Sequence, residues 1–191
     1  RRVEAVTGPE AYERVRRMEE QLDAVASELG APRPDVVDRV ARLHEERDRL
    51  REELEAERRE AAGDLASDLA ASAEELDGRG RLLLRSDVEL PGGSDLAEFG
   101  DRLRDALGSG AALVHVTVPD EDKEAFLSVV TDDWISRGVK AGDLVREASG
   151  ATGSGGGGRP HFAQGGVGRE GPVDQGLAAA RRRISEALDA S

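Results

Sequence analysis

Cysteine is absent from this chain of 191 residues, which excludes a disulfide framework, a thiolate zinc site and a cysteine nucleophile. No apolar run approaches the length of a membrane span, and the N-terminus lacks the apolar core of a signal peptide. By elimination the expected location is the cytoplasm, with no membrane partner. A starting methionine is missing too, so Arg1 is expected to lie inside a longer polypeptide. Catalytic patterns are equally scarce. His44, His115 and His161 are far apart and fall in three different predicted elements. No paired histidines have metal-helix spacing, no Ser-His-Asp arrangement is suggested, and no glycine loop ends in Lys-Ser or Lys-Thr. Carboxylates are too abundant for any pair to be diagnostic. The sequence therefore nominates no catalytic residue, no metal ligand and no cofactor in this chain.

What is abundant is charge. Acidic residues outnumber basic ones 40 to 27, for a formal net charge of −13. Such a balance opposes nucleic-acid binding, which normally needs a basic surface. The distribution answers this: acid concentrates in the N-terminal half, and no acidic residue lies between Ser149 and Arg169. Lysine occurs only at Lys123 and Lys140. An acidic, arginine-rich chain suits a salt-adapted organism, where charge maintains solubility; a GC-rich genome accounts for the arginine bias equally well.

Periodicity predicts a helix from Pro9, a residue suited to the first helical turn. Val15, Met18, Leu22, Val25 and Leu29 alternate spacings of three and four along it. Gly30, Pro32 and Pro34 break it. A second helix of about 40 residues, roughly 60 Å, is expected from about Asp35, with a seam through Val36, Val40, Leu43, Leu50, Leu54, Ala61, Leu65 and Leu69. The four-residue connection predicts an antiparallel hairpin, a spacer that can also dimerise. After Asp77-Gly-Arg-Gly80 the pattern changes to strand (Arg81 to Leu90), helix capped at Ser94, strands (Ala111 to Val118, Ala125 to Thr131), a helical turn at Asp132 to Ser136, a helix (Ala141 to Ala148), a glycine loop, a strand (His161 to Gln164) and a last helix from Val173 to Ala190. The fold class is thus α/β (α+β): a long antiparallel helical hairpin over 9–77, then a compact mixed-sheet domain over 78–191 with helices packed against the sheet.

The glycine stretch Gly153-Ser-Gly-Gly-Gly-Gly-Arg-Pro-His-Phe-Ala-Gln-Gly-Gly166 is the most unusual part of the chain. Missing Cβ atoms free the backbone to take positive φ and let another molecule approach the main chain. Consecutive N–H groups in such a loop can form a nest for phosphate or carboxylate, and Arg159 at its exit can grip a phosphate with two hydrogen bonds. A flexible Gly-Ser linker is the alternative.

The run Gly156-Gly-Gly-Arg-Pro160, with Ala163-Gln-Gly-Gly166, resembles the glycine-rich signature of the DHH-associated domain, in the version found at the C-terminus of alanyl-tRNA synthetases. His161 and Phe162 depart from that family's usual acidic-then-methionine pair. Lys140-Ala-Gly-Asp-Leu-Val145 is similar to a frequent element of the same domain, and Arg1-Arg-Val-Glu-Ala-Val-Thr-Gly8 to the end of the editing domain. The resemblance implies a module that grips the elbow of alanine-specific tRNA, supports aminoacylation and editing, and in some members dimerises through the hairpin or the globular domain. ATP and zinc belong, by the same implication, to catalytic and editing domains not in this chain, which is expected to be inactive alone. On this reading Gly155, Gly156, Gly157, Gly158 and Arg159 face RNA, Gln164 hydrogen-bonds a base edge or 2′-OH, and Arg181 and Arg182 on the last helix add charge. Phe162 is a stacking candidate or a core residue, and Lys140 and Arg146 are lesser candidates. The alternative is the accessory phosphate- or nucleic-acid-binding domain of a DHH-type phosphoesterase, which His161 would suit; no Asp-His-His metal tripeptide accompanies it. A ligand-free coiled-coil dimerisation protein is a third reading.

Overall fold

The structure, a computed structural model, describes residues 7–76 and 78–190; the segment read as the editing-domain tail lies mostly outside them, as does Asp77 at the expected boundary. The chain divides into two compact units at Leu54/Glu55, earlier than the sequence suggested.

In the first unit α1 spans Pro9–Glu28, with Pro9 in its opening turn. Gly30, at φ 60°, follows its end. A short 3-10 turn, Arg33–Asp35, leads into α2, Val36–Ala71. Arg33 hydrogen-bonds Asp23 across the turn and thereby holds that carboxyl below its ordinary range. The expected apolar seam is present but open: Val15 is 54% exposed, Leu22 42% and Leu50 51%. The two helices therefore leave their seams to solvent rather than closing them on each other.

The second unit takes the C-terminal part of α2 into its core. Ala62, Ala66, Leu69 and Ala70 are buried there, with Leu65 packed alongside. This stripe follows the i, i+3, i+4 rule of a helix lying on a layer, and it leaves Ala61, which the heptad reading placed inward, exposed.

Six strands form one mixed sheet in the order β1-β2-β3-β4-β6-β5. They are β1 Glu74–Glu75, β2 Arg81–Glu89, β3 Gly110–Val118, β4 Lys123–Val130, β5 Gly156–Gly158 and β6 Phe162–Gly166. The β2–β3 pair is parallel and the others antiparallel. The helices are α3 Leu96–Leu107, α4 Asp132–Ser136, α5 Ala141–Ala151 and α6 Val173–Asp189. Alternate residues of the central strand β3 enter two cores. Ala112, Val114, Val116 and Val118 face α3 and the end of α2, while Ala111 and Leu113 face α5 and α6. Both faces being covered explains why Gly110–Val118 reads as an almost continuous apolar run. Asp95, not Ser94, caps α3, accepting from the Ala97 N–H at 2.7 Å.

Trp134, fully buried, donates from Nε1 to the Arg79 carbonyl at 2.8 Å. His115 of β3 is buried, with Nδ1 2.7 Å from the Ser86 carbonyl. Beside the sheet end, Asp133 works against the desolvation that would raise its carboxyl. Hydrogen bonds from the Ser109 and Thr131 hydroxyls and from the backbone outweigh burial and hold it below the ordinary range.

Candidate nucleic-acid interface

The glycine stretch is not a loop. Gly156–Gly158 form the edge strand β5, paired with β6 in the register Gly156↔Gly165, Gly157↔Gln164 and Gly158↔Ala163. Positive φ, expected from the glycine density, is confined within the stretch to Gly153, at 80°. The strand glycines are extended, so the anion nest anticipated from consecutive N–H groups does not form over Gly155–Gly158. Their N–H and C=O groups go into strand pairing on one side and face outward along the free edge on the other.

The reason for glycine here is close packing on one face. A Cβ on Gly156 would stand 2.6 Å from Val145 Cγ1 and 2.5 Å from the Gly165 Cα; one on Gly165 would stand 2.4 Å from Ser149 Oγ. On Gly158 a Cβ would meet the Ala163 Cα at 2.6 Å. The helix answers in kind, since a Cβ on Gly142 would lie 3.0 Å from the Gly158 carbonyl oxygen. Gly142, Val145 and Ser149 follow one another at spacings of three and four, one stripe of α5. That stripe of small and β-branched residues lies against the backbone of β5 and β6. The sequence signal was partial: Gly142, Val145 and Ser149 mark a stripe of α5, but the consecutive glycines of β5 do not show which of them it packs against.

The other face of the same strands is open. A Cβ on Gly157 or on Gly155 would meet nothing within 4 Å. Gln164, directly opposite Gly157, is exposed, and side chains of directly opposed residues share a face. Phe162, two residues earlier on that face, is half-buried against the α3 side of the core. A Cβ on Gly100 of α3 would stand 2.7 Å from its ring, so Phe162 is a packing residue rather than a free stacking surface. Beyond α3, then, this face carries the exposed Gln164 amide with open space at Gly155 and half-buried Gly157, while Ser154 Oγ covers Gly166, where a Cβ would stand 2.7 Å from it. Arg159 and Pro160, both exposed, connect the two strands at its end. Arg159 has no ion-pair or hydrogen-bond partner among the described residues.

The structure therefore sets Gly155, Gly157 and Gln164 on one face with Arg159 at the strand end, whereas Gly156 and Gly158, paired with Gly165 and Ala163, turn toward α5. Arg181 stands elsewhere, and Arg182 is exposed on α6. Arg181 pairs with Glu74 of β1 at 2.7 Å, and β1 is the opposite edge of the sheet from β5. Arg146 pairs with Asp143 at 2.7 Å. His161 lines a separate cleft of about 670 Å³ with Arg104, Thr131 and Asp133. No cluster of metal-ligating side chains occurs among the described residues, and none of their helices is long and apolar enough to cross a membrane.

The DHHA1 domain family matches residues 92–186. Over 184 residues, 96% of this chain, the sequence is 35% identical to an alanine–tRNA ligase of Dehalococcoides mccartyi, of which it covers 21%. An alanine–tRNA ligase of Roseiflexus is 39% identical over 178 residues, 93% of this chain and 19% of that protein. The chain thus spans about a fifth of the length of the curated relatives it matches. Among solved structures, the C-Ala domain of Aquifex aeolicus alanyl-tRNA synthetase is similar at 25% identity and a TM-score of 0.39, covering 60% of this chain and 98% of that one. By its sequence relatives the chain belongs with the C-terminal region of alanyl-tRNA synthetases, and residues 92–186 are its DHHA1 domain.

Proposed function

We infer that this chain is the tRNA-binding and positioning module of an alanine–tRNA ligase, and that it meets the RNA through the open face of β5 and β6. One observation carries this reading: open space where a side chain would stand at exposed Gly155 and half-buried Gly157, on the strand face of exposed Gln164, with exposed Arg159, which has no partner among the described residues, at the strand end. The corner of a folded RNA presents sugar-phosphate backbone and unstacked bases, and is recognised by shape, stacking and 2′-OH contacts. A surface without Cβ atoms admits a base or ribose to the main chain. The Gln164 amide both donates and accepts toward a base edge or 2′-OH, and the Arg159 guanidinium takes a phosphate. Arg181 is tied to Glu74 on the far edge and is left out of this face. The tRNA elbow of the alanine-specific tRNA is the proposed ligand, and support of aminoacylation and editing the proposed purpose. The ligase chemistry, with its ATP and zinc, belongs to parts of the enzyme outside this chain, which acts by binding. The uncovered seam of α1 and the first half of α2 supports a second role as a spacer that pairs with another copy of itself.

The test is equilibrium binding of alanine-specific tRNA by this chain across a salt series. Arg159→Ala is expected to weaken binding about tenfold, the scale of one charge-assisted contact of about 1.5 kcal/mol, and to flatten the salt dependence by about one phosphate. Gln164→Ala is expected to weaken it by a smaller, salt-independent factor. Arg182→Ala is expected to leave binding unchanged. Loss of binding in Arg182→Ala with none in Arg159→Ala would move the RNA to the other layer.

A further inference from the structure

A second polar cavity lies away from the glycine face, where the C-terminal part of α2 meets the turn that opens α3. Its volume is about 270 Å³, with Ala62 and Phe99 among its lining and Arg58, Arg59 and Arg102 around it. Phe99 and Ala62 are buried, so the base is apolar and the charge sits on the walls.

The three arginines are not equivalent. Arg102 is committed: it donates to the Arg59 carbonyl at 2.9 Å and to Glu98 Oε1 at 2.8 Å. Arg59 uses its Nε on the Glu55 carbonyl at 3.2 Å. Arg58 is half-buried and has no hydrogen-bond or ion-pair partner among the described residues. Its guanidinium lies across the turn, so close that a Cβ on Gly93 would stand 2.6 Å from Nη1. Next to it, Ser94 Oγ is buried and has no hydrogen-bond partner among the described residues. A guanidinium drawn out of water without an anion, and a hydroxyl without an acceptor, each cost free energy.

One group satisfies both. A phosphate offers two oxygens in the plane of a guanidinium fork and another to a hydroxyl donor. The carboxylates on the walls constrain its charge. Only Glu98 is paired with an arginine, Arg102; Asp95 and Glu121 keep their charge while accepting the Ala97 and Gly93 N–H groups at 2.7 and 2.9 Å, and Glu55 is exposed on the wall. The unpaired Arg58 then balances one negative charge more readily than two. We propose that the Arg58–Ser94 cavity is a binding site for a singly charged phosphate group, supplied either by the backbone of an RNA or by a small phosphate compound. It stands independently of the reading of the glycine face.

The experiment is nuclear magnetic resonance of the full chain labelled with ¹⁵N. Inorganic phosphate and hexauridylate are titrated separately, each against chloride at matched ionic strength, with the Gly93 amide and the Arg58 Nε–H as reporters. A saturable shift of these signals with either probe supports the site; which probe acts identifies the source. Arg58→Gln is expected to weaken that response about tenfold, and Ser94→Ala several-fold, with the thermal midpoint of Ser94→Ala not lowered. Signals that follow ionic strength alike in phosphate, RNA and chloride overturn the proposal. So does an Arg58→Gln variant that stays folded and keeps the Gly93 response. Variants at Arg159 or Gln164 leave these shifts intact, which separates failure here from failure of the elbow contact.

Discussion

Alanine at Gly110 lowers the stability of the second unit by about 4 kcal/mol, combining backbone strain with overpacking. The residue opens β3, at φ 150°, and a Cβ there would stand 2.0 Å from the Arg81 carbonyl oxygen across the parallel β2–β3 pair. No side-chain rotation relieves that contact, because both partners are backbone. Retreat is blocked as well. The Gly110 N–H donates to Thr131 Oγ1 at 2.8 Å, and its carbonyl accepts the Thr131 N–H at 3.0 Å. Strand β3 is thus fixed between β2 and the end of β4 at its first residue. Chemical denaturation should show the loss as a shifted midpoint with an unchanged slope, and the thermal midpoint should fall by roughly 10–15 °C. A change under 1 kcal/mol would mean that the start of β3 yields more easily than its hydrogen bonds indicate.

The second large effect separates two glycines that look alike in sequence. Alanine at Gly165 should cost about 2–3 kcal/mol by overpacking, since its Cβ would press on Ser149 Oγ, Val145 Cγ1 and the Gly156 Cα at once. Alanine at Gly157, paired with Gln164 one step away, meets nothing and should be neutral or slightly stabilising through the unfolded chain. A compensating change tests the cause: Ser149→Ala or Ser149→Gly in the Gly165→Ala background should recover part of the loss. Equal effects at the two positions would show that α5 does not press on the strands as described.

These contrasts mark where the sequence was legible. Short apolar runs located β2, β3 and β4 within about two residues, and the helix expected after Ser94 is α3. Such patterns are written in single elements. The glycine stretch depends on what lies across from it. Gly156 and Gly157 differ only in which face of β5 they occupy, and pairing with β6 beneath α5 decides that. The same run therefore reads as a loop until its partner helix is known. The seam of α2 misled for a related reason. The heptad count carries the seam from Leu54 to Ala61, and contact with the α3 layer instead buries Ala62. Arg181 and Arg182 were drawn to the RNA face by charge alone, although the sheet order sets Arg181 on the β1 edge. The Arg58–Ser94 pairing was invisible because its members are far apart in sequence and neither belongs to a motif.

The central claim is that RNA lies on the open face of β5 and β6, and a bulky side chain at Gly157 tests it most directly. Gly157→Leu adds volume to that face without touching α5, so its thermal midpoint should stay near that of the unaltered chain. Its affinity for alanine-specific tRNA, measured by equilibrium titration, should fall at least about tenfold, the cost of losing roughly 1.4 kcal/mol of contact. A folded Gly157→Leu chain that binds tRNA as tightly as the unaltered one would contradict the assignment of this face.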